Sequence, residues 1–453
     1  MTRRKDHALE EIDPQSADYA AQRQRKAIFG ALTSVASKSI SISCALFTVP
    51  LLYNYLDASR YGLWVAITSI TSLLVFGDLG IGSGLVNAIA SANTSRDPSV
   101  ISGYIRTAIT LLIIISTALL CLFLFSRLFV FWPNTILPHN SALAAEADIA
   151  ILIVVFAVTI GIPASLTQRV QLGHQEGVRA NIWQLAGTVA SFSVILLGVA
   201  AEASISTLLC ASLALPVAVN LLNGITYFQA RRHLLAGSRW IDPQRTSYLL
   251  RQGSMFAILQ LISVIAYGLD SLIIIRTHGP DALAEFAVPE RMFSIVTMAG
   301  ALALTQLWPA YREALNREDY TWVRKTLIFS TGGVAVLTGA SSFVLMFLAP
   351  WLAQKFVNQS IGIPGNLLVA LASWKTLEAA GTSVGVFLAA YSPKLAVWVG
   401  IPTAIGAVAF KIIFTPAIGS AAIPMGSAAA YVLFTAIPLT VFAFSKLRTK
   451  GLS

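Results

Sequence analysis

Eight ionisable side chains interrupt otherwise apolar stretches of this sequence and are its first candidates for chemistry. Four are basic and four are acidic: Lys38, Arg291, Lys375 and Lys411, and Asp78, Asp270, Glu290 and Glu378. A charged side chain at the centre of a bilayer costs about 2.5–3.5 kcal/mol on insertion scales, so such residues normally face a polar cavity or an oppositely charged partner. The even balance of charge predicts that these side chains compensate one another in a shared interior.

Two interpretations of this set are open on the residues alone. Basic members that face a water-filled cavity could attract an anionic group, such as a diphosphate or an acidic sugar, while acidic members could serve as proton or cation sites. Alternatively, the members pair between helices and hold a bundle together. Lys375 and Glu378 are three residues apart on one helical face and could pair within the helix. Glu290 and Arg291 are adjacent and point in different directions, so each needs a partner elsewhere.

The stretch 61–90 combines one of these charges with several glycines. Asp78 is followed by Gly80 and Gly84, a G-x-x-x-G pair that lets a second helix approach closely. A span that packs tightly on one face and presents a carboxylate on another suggests a transport path. The alternative for Asp78 is a local hydrogen-bonded contact between helices.

The composition is that of a membrane protein. Of the 453 residues, 56% are hydrophobic and 11% are charged, and the mean hydropathy is +0.72, whereas soluble domains carry about 25% charged residues. The net charge of +10 does not indicate a nucleic-acid-binding protein, because Lys and Arg lie between apolar runs instead of clustering on a soluble module. The three cysteines lie inside apolar segments and the five histidines are scattered, which predicts no metal site, disulfide framework or cofactor.

The elements that must position the eight charges are apolar segments, and about 20 helical residues suffice to cross the hydrocarbon core. The sequence predicts twelve crossings, at residues 28–52, 61–90, 104–131, 148–171, 180–200, 205–228, 253–275, 283–308, 326–351, 366–391, 395–415 and 423–444. The predicted fold class is therefore an all-α integral membrane protein with twelve transmembrane helices.

The basic residues lie mainly on one side of the predicted membrane. With a cytoplasmic N-terminus, 23 of the 31 Lys and Arg residues flank cytoplasmic ends and 4 flank the opposite ends. Because positively charged loops stay in the cytoplasm during insertion, this asymmetry predicts that both termini are cytoplasmic. Trp64 and Trp351 lie near predicted span ends, where interfacial anchors are common.

A basic segment at 229–250 divides the chain into two groups of six predicted spans. We expect an N-terminal lobe at 27–228, a C-terminal lobe at 251–445, and cytoplasmic tails at 1–26 and 446–453. Because six is even, both lobes begin on the cytoplasmic side. This predicts two lobes related by a pseudo-twofold axis along the membrane normal.

Two stretches carry a resemblance to a known family. One runs from Tyr-Gly-Leu-Trp at 61–64 to Asp-Leu-Gly-Ile-Gly at 78–82, and the other covers 286–293 and continues to 306–314. They resemble the second and eighth spans of bacterial polysaccharide flippases, the Wzx-type O-antigen and exopolysaccharide transporters of the multidrug/oligosaccharidyl-lipid/polysaccharide exporter superfamily. The span count also fits this family, whereas peptidoglycan-precursor flippases of the superfamily typically have fourteen spans.

The resemblance implies a MATE-like fold in the bacterial cytoplasmic membrane, with two lobes around a central cavity. A polyprenyl-diphosphate-linked glycan would cross to the outer leaflet by alternating access, coupled to an ion gradient, while its tail stays in the membrane lipid. The expected contacts to diphosphate or acidic sugar are Lys38, Arg291, Lys375 and Lys411. The expected coupling residues are Asp78, Asp270, Glu290 and Glu378. A polysaccharide polymerase and glycosyltransferases would be further partners, and no cofactor or enzymatic activity is implied.

Two other functions compete with this interpretation. A cation-coupled multidrug exporter of the same fold would need an acid-dominated site for organic cations, but the intramembrane charges here are balanced. A membrane glycan polymerase or ligase would favour a sizeable external loop with catalytic groups. The longest predicted outer loop, 132–147, is too short to form a domain.

Overall fold

The computed structural model describes residues 14–95, 98–137, 143–237, 240–304, 307–357 and 362–439. These residues form helices and turns, with no strand among them. The predicted C-terminal tail and the first half of the predicted N-terminal tail lie outside the described residues. Residues 14–26, the remainder of that N-terminal tail, are helical and continue directly into the first long helix.

Fifteen α-helices make up the described chain. The first half contains α1 (Pro14–Leu74), α2 (Ile81–Ser95), α3 (Pro98–Ser126), α4 (Trp132–Ile136), α5 (Ala144–Ala164), α6 (Leu166–Gly173), α7 (Gly177–Ala200) and α8 (Ile205–Ala230). The second half contains α9 (Pro243–Ser263), α10 (Asp270–Leu304), α11 (Leu307–Asn316), α12 (Tyr320–Val357), α13 (Gly365–Tyr391), α14 (Pro393–Ile418) and α15 (Ala422–Tyr431). The basic connection between the halves ends at Asp242, whose carboxylate accepts hydrogen bonds from the first backbone N–H groups of α9.

Eight helical segments of the described chain are long and apolar enough to cross a membrane. Three of them, Ala36–Thr71, Pro243–Met298 and Lys394–Leu439, each extend over parts of two predicted spans. Each contains a backbone break with positive φ, at Asp57 (66°), Gly279 (85°) and Gly419 (78°). These breaks fall between predicted spans, so a single long segment corresponds to more than one predicted span.

The predicted span 61–90 is not one continuous helix. A 3₁₀ turn at Val75–Asp78 follows α1, and Leu79 and Gly80 have φ values of 45° and 76° before α2 begins. The Asp78 carboxylate accepts a hydrogen bond from the Gly80 N–H at 2.9 Å. It thereby replaces a helical hydrogen bond that the turn has lost, which explains how a broken helix is tolerated at membrane depth.

Close backbone contacts join the two halves near the start of this predicted span and at its break. A Cβ on Gly80 would lie 2.1 Å from the carbonyl oxygen of Gly253, and one on Gly84 would lie 2.5 Å from that of Leu249. At the other end, a Cβ on Gly62 would lie 1.9 Å from the carbonyl oxygen of Pro280. Only glycine permits such approaches, so both glycines of the G-x-x-x-G pair lie against α9.

Candidate functional site

A cavity of about 240 Å³ lies between α1 and α7 of the first half and α10 of the second. Lys38 projects into it from α1 and Arg291 from α10, and both side chains are exposed. Among the described residues, neither has a carboxylate within 4 Å. Two cations without close counter-ions make this cavity attractive to an anion.

The local sequence explains why these side chains meet. Lys38, Ser41 and Ala45 recur at i, i+3 and i+7 and therefore form one stripe along α1 that lines the cavity. Arg291 and Ser294 are likewise three residues apart on α10 and line the same cavity. The two stripes face each other because α1 packs against α10.

A second cavity, of about 300 Å³, adjoins the first, since Ser41, Ala45 and Arg291 line both. It extends between α1, α7 and α8 and is bordered by small hydroxyl side chains and apolar walls. Trp64, predicted as an interfacial anchor, is instead 7% exposed and lines this cavity. The prediction was wrong because proximity to a span end does not say which face of the helix a side chain occupies.

A third cavity, of about 380 Å³, shares Ser212, Leu213 and Pro216 with the second. Asp78 and Arg169 line it, with an oxygen–nitrogen distance of 3.8 Å between their side chains. The three cavities are therefore neighbours, arranged in a series from Lys38 to Asp78. One end of the series is cationic, and the other holds a loosely paired carboxylate.

Lys375 lies outside these three cavities, in a cluster between α10 and α13. Its Nζ is 2.9 Å from the Glu378 carboxylate and 3.3 Å from that of Glu290. Ser294, which lines the first cavity, donates a hydrogen bond of 2.6 Å to Glu290. Arg291, which lines the first cavity, directly follows Glu290 in the chain. This cluster is therefore next to the part of α10 that lines the first cavity.

Lys411 also lies outside the three cavities and is fully buried. Its Nζ donates hydrogen bonds of 2.6 Å to the Asp270 carboxylate and to the backbone carbonyl of Ala266. The carbonyl comes from a π-helical turn at Val264–Gly268 that interrupts the predicted span 253–275. Such turns have a different pattern of backbone hydrogen bonds from an α-helix, and this one places a carbonyl oxygen beside the ammonium group.

The predicted site residues therefore separate into two groups. Lys38 and Arg291 face a cavity, and Asp78 lines the end of the same cavity series. The other five, Asp270, Glu290, Lys375, Glu378 and Lys411, form ion pairs within the second half. The first group thus lines cavities and the second is held in ion pairs, while the predicted roles of both groups in substrate binding and coupling stay predictions.

Polar cavity residues without charge were missed by the sequence reasoning. Asn181 and Gln184 line the first cavity from α7. Their i, i+3 spacing within an otherwise apolar predicted span could have indicated a polar helix face. The pairing of Arg169 with Asp78 was also missed, because the two residues are far apart in sequence.

Comparison with known proteins defines the family. Residues 29–315 match the family described as "Polysaccharide biosynthesis protein". The chain belongs to this polysaccharide biosynthesis protein family. The match covers the first half and α10, which together supply Lys38, Asp78 and Arg291.

Two relatives of this chain are described as O-antigen transport proteins. One, an O-antigen transporter of Salmonella typhi, is 22% identical over 379 residues, covering 82% of this chain and 85% of the relative. The other, an O-antigen export protein of Yersinia pseudotuberculosis, is 20% identical over 395 residues, covering 83% and 86%. Together with the family match, they confirm the predicted resemblance to Wzx-type flippases.

Solved structures show the fold. An inward-facing multidrug resistance MATE family transporter of the MOP superfamily superposes with a TM-score of 0.72 at 16% identity, covering 91% of this chain and 99% of that structure. The lipid II flippase MurJ, in an inward closed conformation, superposes with a TM-score of 0.68 at 12% identity, covering 89% and 85%. The predicted MATE-like helical fold is therefore confirmed for the described residues, while the count of twelve spans and the two-lobe symmetry stay predictions.

Proposed function

We propose that this protein is a flippase that moves a polyprenyl-diphosphate-linked oligosaccharide across the bacterial cytoplasmic membrane for surface polysaccharide biosynthesis. The observation that carries the proposal is the pair Lys38 and Arg291, which come from opposite halves of the chain and face one cavity without close carboxylates. A diphosphate is a doubly anionic group that two such cations can hold away from hydrocarbon. The names of the relatives, which refer to O-antigen transport and export, support the same class of substrate.

The cationic character of this cavity argues against export of organic cations. A cationic drug in the first cavity would lie beside Lys38 and Arg291, and no carboxylate is among the described residues that line this cavity. Like charges in a low-dielectric cavity repel strongly. The site therefore favours an anionic substrate over the cations that a multidrug exporter would bind.

In the proposed mechanism, twelve spans form two six-helix lobes with both termini in the cytoplasm. Lys38 belongs to the N-terminal lobe and Arg291 to the C-terminal lobe, so a diphosphate bound to both would bridge the lobes. Movement of one lobe against the other would then expose the cavity alternately to the two sides of the membrane. The polyprenyl tail would remain in lipid throughout.

We further propose that an ion gradient acts through the carboxylates Asp78, Asp270, Glu290 and Glu378. Glu290 lies beside Arg291 in sequence and accepts a hydrogen bond from Ser294, a cavity residue. Neutralising Glu290 by a proton or a cation would weaken its interaction with Lys375 and loosen the contact between α10 and α13. Substrate binding and ion binding would thus act on neighbouring residues of one helix.

Transport by the full chain in proteoliposomes tests the proposal. The substrate is a short-chain polyprenyl diphosphate disaccharide with a fluorescent sugar, and appearance of the sugar on the opposite face is followed with an impermeant quencher. We expect Lys38→Gln and Arg291→Gln each to slow transport at least tenfold, since a lost hydrogen bond between charged groups costs about 1.5–3 kcal/mol. Lys355→Gln and Arg276→Gln are matched controls, because both side chains are exposed and line none of the three cavities. Unchanged transport by both cavity variants would refute the proposed site.

Coupling is tested separately at Asp78. We expect Asp78→Asn to transport substrate at a rate that depends less on an imposed ion gradient, because the neutral amide retains the hydrogen bond to the Gly80 N–H but cannot take up a proton or a cation. The measurement is the ratio of transport rates with and without the gradient. A ratio equal to that of the unmodified protein would make Asp78 a structural residue.

A further inference from the structure

Arg106 of α3 carries a buried charge that no described residue neutralises. The residue is 5% exposed, and its Nη1 atom is buried without a hydrogen-bond partner. Within the described chain its guanidinium makes one hydrogen bond, of 3.4 Å from Nε to the Ser102 carbonyl, and has no carboxylate within 4 Å. A buried charge costs free energy unless it is paired and hydrogen-bonded. The guanidinium is therefore suited to binding an anionic group.

The basic connection between the two halves runs along α3 beside this guanidinium. A Cβ on Gly237, whose φ is 123°, would lie 2.2 Å from Nη1 of Arg106 and 2.4 Å from its Nη2. Three residues later, the Trp240 carbonyl accepts a hydrogen bond of 3.5 Å from the Thr110 hydroxyl of α3. The Nη2 atom also has no hydrogen-bond partner among the described residues, but unlike Nη1 it is not fully buried. An anion at the surface can therefore reach the guanidinium through Nη2.

The residues that follow Gly237 have the character of a membrane interface. Trp240 and Ile241 are 48% and 47% exposed. A shallow groove of about 660 Å³ begins at Ile241 and follows α9, where the exposed side chains of Leu250 and Arg251 line it. Tryptophan is enriched where a bilayer meets water, and α3 enters the predicted membrane near Arg106. This surface therefore combines cations with exposed apolar side chains at the predicted cytoplasmic boundary of the membrane.

From this arrangement we infer that the linker surface, formed by Arg106, Gly237, Trp240, Ile241 and Arg251, binds an anionic phospholipid of the cytoplasmic leaflet. The Nη2 group of Arg106 donates to the headgroup phosphate, a charge-assisted hydrogen bond of the stronger kind. The acyl chains lie against the exposed apolar side chains, which a free phosphate would leave uncovered. None of these five residues lines the three cavities, so the linker surface is separate from the proposed substrate site. The bound lipid holds the connection between the two halves against α3.

Quenching of Trp240 fluorescence by brominated lipids tests this inference on the full-length protein. Nanodiscs of phosphatidylcholine receive increasing fractions of either brominated phosphatidylglycerol or brominated phosphatidylcholine. The Trp240 signal is the difference between the unmodified protein and Trp240→Phe. We expect phosphatidylglycerol to quench this signal at a mole fraction about fivefold lower than phosphatidylcholine, because each cation near the membrane surface favours acidic lipids by about that factor. Equal quenching by the two lipids would overturn the inference.

The variant Arg106→Gln locates the phosphate. It removes the charge, so the preference for phosphatidylglycerol should fall at least to half, whereas Arg276→Gln, the matched control at an exposed arginine on the predicted opposite side, should keep it. In detergent without anionic lipid, Arg106→Gln should unfold at the same temperature as the unmodified protein or higher, because it loses no described ion pair. A kept preference would overturn the inference. So would a variant that unfolds early without lipid, since Arg106 would then be committed to the fold.

Competition distinguishes the lipid from other sources of phosphate. Inorganic phosphate or farnesyl diphosphate is added to nanodiscs that contain brominated phosphatidylglycerol, with chloride at the same ionic strength as the control. We expect neither anion to restore Trp240 fluorescence beyond the chloride control. Restoration by inorganic phosphate would assign the surface to a free anion, and restoration by farnesyl diphosphate alone would assign it to the substrate. Either result would overturn the assignment to a phospholipid, while the proposed function at Lys38 and Arg291 would stand or fall by its own test.

Discussion

The cations of the first cavity and those of the second half differ in what neutralises them. Lys38 and Arg291 are exposed and have no carboxylate within 4 Å among the described residues, whereas Lys375 and Lys411 are buried and held by Glu290, Glu378 and Asp270. An unpaired cation in a cavity is available to a ligand, while a buried, paired cation is committed to the fold. Residue type and membrane depth alone therefore do not distinguish a binding group from a structural one.

The largest effect that would sharpen this contrast is expected at Lys411. Lys411→Met removes the only cation within 4 Å of Asp270 in the described chain and leaves the Ala266 carbonyl without its hydrogen-bond donor. Breaking a buried ion pair from one side typically costs about 3–5 kcal/mol. We expect a clear fall in the thermal unfolding temperature of the purified protein, measured by intrinsic fluorescence.

The double variant Lys411→Met/Asp270→Asn is the control for that measurement. Because it removes both charges, it should recover much of the lost stability, as a buried pair replaced as a unit is often tolerated. A single variant as stable as the unmodified protein would show that Lys411 is not committed to the fold. The contrast between the two groups of cations would then disappear.

A smaller loss is expected at Lys375. Lys375→Met leaves Glu290 and Glu378 without the cation they share, but these carboxylates are 28% and 37% exposed, so water can compensate part of the loss. We expect a decrease in unfolding free energy of about 1–2 kcal/mol, between the values for buried and surface pairs.

Thermal unfolding is again the measurement for Lys375→Met. Glu378→Gln is the matched control, since it removes one carboxylate while Glu290 still holds the lysine. A loss of stability as large as that of Lys411→Met would show that water does not compensate Glu290 and Glu378 for the missing cation.

The sequence predicted the local features of the site better than the distant ones. The pairing of Lys375 with Glu378 follows from their spacing on one helix and is confirmed at 2.9 Å. The partner of Lys411 did not follow, because Asp270 lies 141 residues away and only the packing of α14 on α10 brings them together. Residues paired through tertiary packing leave no periodic signal in a single sequence.

The backbone breaks also divide into those that the residue types indicate and those that they do not. Two of the long apolar segments break at Gly279 and Gly419, where the missing Cβ makes positive φ inexpensive. Asp57 and Leu79 also adopt positive φ, and their residue types give little warning of it. The break at Leu79 divides a predicted single span and places Asp78 at the end of the cavity series, so this part of the site required the structure.

Direct binding of farnesyl diphosphate to Arg291→Gln, with thermal unfolding of the same sample, tests the central claim. If Arg291 is a binding group and not a structural one, affinity should fall at least tenfold while the unfolding temperature stays unchanged. Unchanged affinity, or a loss of affinity that is accompanied by a large loss of stability, would contradict the assignment of this cavity to the diphosphate.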